Sequence, residues 1–540
     1  METVKININD KELSVKKGIS VLQAASEAGI YIPGLCAHPD LRSESSCRLC
    51  VVEIEGQRGF PVSCSTETTE GMKIKTDTDE IRELRKGILE LLLLQHPSAC
   101  LMCVRDEVCP AIDIDMHEVL FTDRCVSCFK NNTCELQKVV DHIGLKDIEL
   151  DAKRAEFEVI TDNPIFDIDY NLCVLCGRCI RVCSELMDIG VVSYTQRGNR
   201  TVVSTPFGRT MKDSGCKYCG ACVQVCPTGS LVFKANKFTE VTNEDLPVAC
   251  VNSCPAGIDV PRFISLIKKG QNDEAFGVLF EGSPFPAVLG RICSAPCEKD
   301  CWRNELNDPI AIRILERFLS ENHYTPDAIK TIGKKTGKKI AVAGSGPGAL
   351  TAAYFLAGSG NDVTVFEKNN EPGGFLRTGF APSDLPSEII DKEISAIKDR
   401  GVEIKTGDAV PDSRELLNSG FDAVILTGSV SETDAKPPVF IFGDADGKEV
   451  NVIHAVGNGK KAAEKIAKYL GCKGIGIKNE PAVSSEDFKL GMEKDFAGRK
   501  KEINNGVIEE KEAVYEASRC LRCDLRHNIS KVKLPGENNE

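Results

Sequence analysis

Near the end of the chain, in RCLRC, Cys520 and Cys523 stand at the spacing with which a polypeptide grips one metal centre, and no cysteine follows them. Two thiolates do not close a site. The missing partners must come from earlier in the sequence, where cysteines recur in groups. The strongest group is a pair of C-x2-C-x2-C-x3-C runs, CVLCGRCIRVC and CKYCGACVQVCP. Paired runs of this kind bind two 4Fe-4S clusters crosswise, the fourth cysteine of each run ligating the other cluster. One cluster therefore takes Cys173, Cys176, Cys179 and Cys226, and its neighbour takes Cys216, Cys219, Cys222 and Cys183. Gly177, Gly220 and Ala221 are small enough for backbone amides to reach the sulfurs, which tunes potential.

Four further groups flank this pair. Cys36, Cys47, Cys50 and Cys64 follow C-x10-C-x2-C-x13-C, enough thiolates for a 2Fe-2S cluster. His96, Cys100, Cys103 and Cys109 read H-x3-C-x2-C-x5-C. The same thiol spacing returns at Cys125, Cys128 and Cys134, with Phe121 where the histidine would stand and His117 as an extra candidate, so the two triplets either share one cluster or hold two. Cys250 and Cys254 precede Cys293, Cys297 and Cys301, and Cys472 is left as a small core residue. In all, 26 cysteines in 540 residues, grouped between ordinary globular segments, indicate a reducing compartment and metal ligation rather than disulfides. Structural zinc fits a single CxxC pair but not tandem runs. A net charge of −13 argues against nucleic acid. The absence of a long apolar run or a leader pattern leads us to expect a cytoplasmic chain with no membrane span.

The elements that must position these residues can be read in part. VKININDKEL is two alternating strands around Asn9-Asp10, with a helix through SVLQAASEAG and a leucine-rich helix at IRELRKGILELLLLQ. From Lys339 the order is strand, turn, helix, strand: Gly344, Ser345, Gly346 and Pro347 form a pyrophosphate-binding turn, Ala349 replaces the third glycine, and Glu367 ends the second strand where a ribose hydroxyl binds.

These motifs carry resemblances. The segment to about residue 238 resembles the large iron-sulfur subunit of respiratory complex I, the accessory domains of iron-only hydrogenases, and the iron-sulfur subunit of electron-bifurcating NADH-dependent hydrogenases, formate dehydrogenases and transhydrogenases. In complex I and the iron-only hydrogenases the His96 pattern holds a 4Fe-4S cluster. The stretch from Cys250 to Cys301 is similar to the helical iron-sulfur domain of the glutamate synthase small subunit and of dihydropyrimidine dehydrogenase. Its opening RCxxC element is absent, and RCLRC at Cys520 and Cys523 looks like that element displaced, the tail folding back over the helical domain. The resemblance implies one cluster on Cys520, Cys523, Cys250 and Cys301, and a second on Cys254, Cys293 and Cys297 with Glu316 as fourth ligand.

The same family binds FAD through elements matched by Gly374, Leu376 and Arg377 in EPGGFLRTGF, and by Gly443 and Asp444 in VFIFGDADG, with the helix from Val452 aimed at the flavin. The NADPH domain usual between these elements is missing, and GNGKKA at Gly457 is read as the capping turn of the last FAD helix.

The expected fold is multidomain α+β and α/β: a β-grasp 2Fe-2S domain (1–78), a His/Cys 4Fe-4S domain (79–155), a two-cluster ferredoxin domain (156–238), a helical iron-sulfur domain (239–332), a Rossmann-like FAD domain (333–475) and a tail (476–540). The expected cofactors are one 2Fe-2S cluster, five or six 4Fe-4S clusters and FAD. The resemblance implies an electron-relay subunit of a multisubunit oxidoreductase, with an NADH/FMN-binding subunit, a hydrogenase- or dehydrogenase-type catalytic subunit and ferredoxin as partners, and no catalytic residue of its own. The alternative is an NAD(P)H-dependent flavoenzyme in which this FAD is the turnover or bifurcation site.

Overall fold

The computed structural model describes residues 2–97, 101, 128, 130–131, 133–150, 155–234, 246–325, 333–407, 410–427, 438–442, 451–472, 488–490 and 508–535. The chain falls into two compact units, one of residues 1–246, 482–496 and 523–540, the other of 247–481 and 497–522.

In the first unit, β1 (Thr3–Ile8) and β2 (Lys11–Lys16) form a hairpin. Asn9 and Asp10 turn it with φ of 51° and 64°, the double positive φ of a type I′ turn whose twist suits the flanking strands. Alternation sends Val4, Ile6 and Ile8 into the core beneath α1 (Val21–Glu27). With β3 (Glu53–Ile54) and β4 (Lys73–Lys75) the sheet runs β2-β1-β4-β3, and β1 and β4 are parallel. This is the expected β-grasp arrangement. The leucine-rich helix α2 (Asp79–Leu93) packs Leu89 and Leu93 against Leu136, Val139 and Val140 of α3 (Glu135–Ile143).

Beyond α3, β5 (Phe166–Ile168), β6 (Ser193–Thr195), β7 (Val202–Ser204) and β8 (Leu231–Phe233) make two antiparallel pairs, β5 with β8 and β6 with β7. Single helical turns at Arg178–Arg181 and Ala221–Gln224 carry the third cysteine of each run. Tail residues Leu525 and Ile529 join Val182, Met187 and Val225 in this core.

The second unit opens with helices α4 (Val260–Lys268), α5 (Asn272–Gly282), α6 (Pro286–Ile292) and α7 (Ile312–Asn322). A doubly wound half follows: β9 (Lys339–Ala343), α8 (Pro347–Gly358), β10 (Asp362–Glu367), α9 (Ser387–Asp399), β11 (Val402–Thr406), β12 (Ala423–Thr427), β13 (Val439–Phe442) and α10 (Val452–Tyr469). The sheet is parallel throughout, ordered β11-β10-β9-β12-β13. One continuous core joins the helices to the sheet, from Phe263, Phe276 and Leu315 to Leu350, Val342 and Val365. Fully buried Glu393 of α9 reinforces that joint by accepting from the amides of Ala287 (2.5 Å) and Val288 (3.2 Å) at the start of α6. Helix α11 (Glu510–Ser518) packs on α4.

One local expectation is corrected. GNGKKA is not a capping turn but lies inside α10. A Cβ at Gly459 would sit 2.1 Å from the Gly348 carbonyl oxygen, and one at Gly457 would sit 2.5 Å from that of Pro255. The glycines are there so that α10 can touch α8 and the Cys254–Pro255 turn, a packing need that resembles a fingerprint only in sequence. Among the described residues no helix is long and apolar enough to cross a membrane.

Candidate iron-sulfur and dinucleotide sites

The two ferredoxin-type runs fold as near copies. Leu175 and Tyr218 adopt φ of 51° and 50°, which aims each amide at the sulfur two residues back, 3.4 Å away on Cys173 and Cys216. Gly177 and Gly220 then take φ of 72° and 80°, and a Cβ at Gly220 would meet the Phe233 ring at 2.6 Å. Cys173, Cys176, Cys179 and Cys226 line one cavity walled by Phe166, Ile168, Val192 and Val203, with Cys222 on its border. Burial and then neighbouring thiolate charge push Cys173 up to about 11 and raise Cys179 well above the ordinary thiol range, and the charges that act are those of this same foursome. Cys216, Cys219 and Cys222 feel Cys183 in the same way, burial coming first, with Cys219 pushed up to about 11. In each set the fourth cysteine of one run thus bears on the first three of the other. Thiols held this far up must lose protons when a metal enters, so loading releases protons.

In the β-grasp part, Cys36 hydrogen-bonds the thiols of Cys47 and Cys64, and Cys64 also meets Cys50. These bonds hold Cys36 well below the ordinary thiol range and bring Cys50 down to about 7. The Leu35 amide donates to Cys47 Sγ at 3.4 Å, and Ser45 Oγ lies 3.4 Å from Cys64 Sγ. Arg85, 4% exposed, clamps the loop through the carbonyls of Leu49 (3.1 Å) and Val51 (2.8 Å).

Sequence reasoning missed the residue that ties this loop to the first ferredoxin-type run. Arg181 donates to the carbonyls of Cys36 (2.6 Å), Cys176 (3.2 Å) and Arg42 (2.6 Å), so one guanidinium holds a residue from each thiol set. Arg178 beside it is 1% exposed, pairs with Glu135 at 2.7 Å, and its charge reaches both Cys176 and Cys36. The available signal was an arginine on either side of Cys179 in CGRCIR.

His96 borders a second cavity together with Cys128 and Cys134. Its Nδ1 lies 2.8 Å from the Pro97 carbonyl oxygen. Cys134 stands at the N-cap of α3 with its sulfur 3.5 Å from the Pro227 carbonyl oxygen, and Lys130 Nζ donates to the Cys226 carbonyl at 2.8 Å. Cys100, Cys103, Cys109 and Cys125 lie outside the described residues, as do His117 and Phe121.

In the second unit Cys254, Cys293 and Cys297 face Glu316 of α7, whose charge bears on all three thiols. Glu316 is 6% exposed, and burial pushes its carboxyl up to about 8. Ala295, with φ of 49°, donates to Cys293 Sγ at 3.3 Å, and Arg522, with φ of 52°, donates to Cys520 Sγ at 3.5 Å, repeating the loop geometry of the ferredoxin-type runs. Cys301 and Cys520 both bear on fully buried Arg303, which donates to the Arg519 carbonyl at 2.6 Å.

The tail helix is locked there. Glu516 accepts from the Ala311 amide (2.8 Å) and pairs with Arg519 (2.7 Å), which also donates to the Asp308 carbonyl (2.8 Å). Cys250 sits on the turn Ala249–Asn252, next to Ser253, which bonds Asp300. Cys523 begins the segment that belongs to the other unit. Cys472 is half-buried, its sulfur 3.5 Å from Asn361 Oδ1. Among the described residues no three His, Cys, Asp or Glu side chains close tightly enough to hold a single metal ion.

The turn after β9 is shaped for close approach. Gly344 has φ of 102°, and a Cβ on Gly374 would meet Gly346 Cα at 2.8 Å. Pro347 starts α8, which leaves a helix N-terminus open to an anionic pyrophosphate. Ser345 donates to Glu367 Oε2 through its amide (3.0 Å) and hydroxyl (2.5 Å), and Asn369 N donates to Oε1 (2.9 Å). Glu367 therefore organises the turn as well as ending the strand. Leu376 is buried, and Arg377 bonds the Pro372 carbonyl (2.6 Å) and Asp391 (2.5 Å). Val452 begins α10, capped by Asn451, while Gly443 and Asp444 lie outside the described residues. The glycine cradle and helix N-terminus fit the pyrophosphate of a dinucleotide.

Comparison with known proteins matches four segments of the chain. Residues 1–79 match the 2Fe-2S iron-sulfur cluster binding domain, 172–230 the 4Fe-4S dicluster domain, 234–327 the dihydropyrimidine dehydrogenase domain II, 4Fe-4S cluster, and 342–401 the NAD(P)-binding Rossmann-like domain. The chain is 34% identical over 239 residues to the NADP-reducing hydrogenase subunit HndD of Solidesulfovibrio fructosivorans, covering 43% of this chain and 36% of the relative. It is 35% identical over 202 residues to the beta subunit of the NADP(+)-dependent formate dehydrogenase of Moorella thermoacetica, 33% of this chain and 29% of that one. It is 31% identical over 235 residues to the alpha subunit of the NADPH-Fe(3+) oxidoreductase of Geobacter sulfurreducens, 44% of this chain and 24% of that one. The chain thus spans between about a quarter and just over a third of these relatives. It is a homologue of oxidoreductase subunits that joins a 2Fe-2S domain, 4Fe-4S domains and a Rossmann-like domain in one polypeptide.

Proposed function

We propose that the chain is an electron-relay subunit of a multisubunit cytoplasmic oxidoreductase. The observation that carries this reading is the bridge of Arg181 between Cys36 and Cys176, which puts the 2Fe-2S loop and the first ferredoxin-type thiol set on one guanidinium. Clusters so joined pass single electrons; four thiolates around each leave no open coordination position for bond chemistry. The 2Fe-2S cluster takes Cys36, Cys47, Cys50 and Cys64, and the 4Fe-4S clusters of the helical domain take Cys250, Cys301, Cys520 and Cys523, and Cys254, Cys293, Cys297 and Glu316.

The Rossmann-like turn holds FAD, through Gly344 to Pro347, Glu367, Gly374, Leu376, Arg377 and, beyond the described residues, Gly443 and Asp444. Bound FAD would convert between one- and two-electron transfer. Only residues 428–438 separate β12 from β13, too few for the nicotinamide domain of the glutamate synthase small subunit. A flavin takes hydride from a nicotinamide only when something holds the two together. We therefore assign pyridine nucleotide to a partner subunit that carries FMN, and ferredoxin and a hydrogenase- or dehydrogenase-type subunit to the receiving end. A second reading is favoured by the NAD(P)-binding description of residues 342–401: the Rossmann-like turn takes pyridine nucleotide, or its FAD is a turnover or bifurcation site.

One experiment separates them. The chain is purified without oxygen, its iron and flavin are quantified, and NADH or NADPH is added while cluster and flavin absorbance is followed. The relay reading expects stoichiometric FAD and no bleaching until dithionite is added. Rapid bleaching by either nucleotide overturns it.

A further inference from the structure

The spacing H-x3-C-x2-C-x5-C gives His96 to the thiols of Cys100, Cys103 and Cys109. The described structure puts two other thiols on the cavity that His96 borders. His96, Cys128 and Cys134 border one cavity, closed by Leu101, Leu172 and Gly229. Cys128 and Cys134 are near enough for the charge of one to bear on the other.

The cavity is built from fixed parts. Cys134 is fixed at the start of α3, where the Glu135 amide donates to the Pro227 carbonyl at 3.0 Å and Lys130 Nζ reaches the Cys226 carbonyl at 2.8 Å. Cys128 is packed so closely on Gly229 that a Cβ there would lie 2.2 Å from its sulfur. His96 itself is 3% exposed, at the end of α2, whose Leu89 and Leu93 pack on the same α3. His96 and Cys134 thus flank one packed joint between two helices, and Cys128 is fixed beside them by Gly229. Among the described residues no three such side chains close around a single ion, and a 4Fe-4S cluster offers its ligands separate irons rather than one shared ion.

We propose that His96, Cys128 and Cys134 ligate one 4Fe-4S cluster. Each of its four irons needs one outer ligand. With three places filled, at most one further cysteine joins, and the regular set of His96 with Cys100, Cys103 and Cys109 cannot be the closed one. The second triplet is then the principal ligand source of the histidine cluster, and the first triplet serves elsewhere. The proposal stands or falls independently of the relay reading, because its readout is a spectrum rather than electron delivery.

The test uses the full chain, loaded and reduced without oxygen, and pulsed electron paramagnetic resonance of the nitrogen coupling from a histidine ligand. His96→Cys identifies the signal by removing that coupling. Cys128→Ser and Cys134→Ser should each shift or abolish the nitrogen-coupled signal while the other clusters' signals stay. At least two of Cys100→Ser, Cys103→Ser and Cys109→Ser should leave it unchanged. Gly229→Ala, which replaces no ligand but presses on the Cys128 sulfur, should shift the same signal and supplies a reading if a serine variant fails to load. A nitrogen-coupled signal that ignores Cys128→Ser, Cys134→Ser and Gly229→Ala, or that responds to two or more changes in the first triplet, overturns the proposal.

Discussion

The ferredoxin-type pair and the helical region of the second unit solve one problem by opposite means. In the first, every candidate ligand lies between Cys173 and Cys226, and two short runs with the same backbone conformation bring the thiols together. In the second, the candidates reach from Cys250 to Cys520 and include a carboxylate, and what brings Glu316 to Cys254, Cys293 and Cys297 and the tail helix onto this region is a shared core. A local site needs little more than its own loops. A dispersed one depends on the tertiary fold, so damage far from the thiols should cost metal there and not in the ferredoxin-type pair.

The contrast can be pressed hardest at Glu316. Glu316→Ala should abolish one cluster of the second unit or leave it three-iron, seen as lost iron and an altered paramagnetic signal, while Glu316→Gln keeps the cluster and the ferredoxin-type signals stay in both. Next comes Arg519→Ala, which leaves Glu516 buried without its cation. Breaking such a pair costs roughly 3–5 kcal/mol, and calorimetry should show a lowered transition together with easier proteolysis before Cys520.

Arg181→Met tests the opposite region. It removes three hydrogen bonds and leaves carbonyls unpaired, a cost of about 1–3 kcal/mol, with a shift in the potentials of the 2Fe-2S signal and its 4Fe-4S neighbour but no loss of iron. A smaller effect per pH unit is expected of Glu393, whose burial pushes its carboxyl up to about 8. The folded chain keeps a proton there that the unfolded chain releases above the ordinary carboxylate range. Stability from this group is therefore full at low pH and falls as pH rises toward 8, by on the order of 1 kcal/mol per pH unit. Glu393→Gln should flatten the pH dependence of thermal unfolding. Smallest is Tyr194→Phe, which loses only the bond to the Leu175 carbonyl (3.1 Å). About 0.5–1.5 kcal/mol is the ceiling for such a bond, and a larger loss would mean the ferredoxin-type loops are less self-sufficient than their symmetry implies.

Legibility followed the same divide. The crosswise grouping of Cys173 to Cys226 and the β-grasp hairpin were readable because spacing and alternation act over a few residues. The approach of Glu316 to three thiols came only through family resemblance, since nothing in PIAIRILERF marks that glutamate as inward. GNGKKA misled because close helix packing and phosphate binding select glycine for the same reason, the absence of a Cβ. The arginines escaped notice because a charged residue reads as solvated until its partners are known. Arg178, Arg181, Arg303 and Arg526 are all buried, and each finds its acceptors among carbonyls or carboxylates mostly distant in sequence. In the sequence Glu367 reads as a ribose ligand, and its bonds to Ser345 depend on a turn conformation that the sequence does not spell out.

The left-handed residues Leu175, Tyr218, Ala295 and Arg522 have one more consequence. None is glycine, and each holds a conformation that costs an ordinary residue roughly 1–2 kcal/mol. Bound metal would hold these bends in place; an emptied loop that relaxed would regain that cost and let its thiols part. Oxidative loss of iron would then act as a ratchet, easy to pass forward and hard to reverse, because refilling must first rebuild the bend. The working lifetime of such a chain in air would be set less by how fast oxygen reaches a cluster than by how quickly an emptied loop forgets its shape.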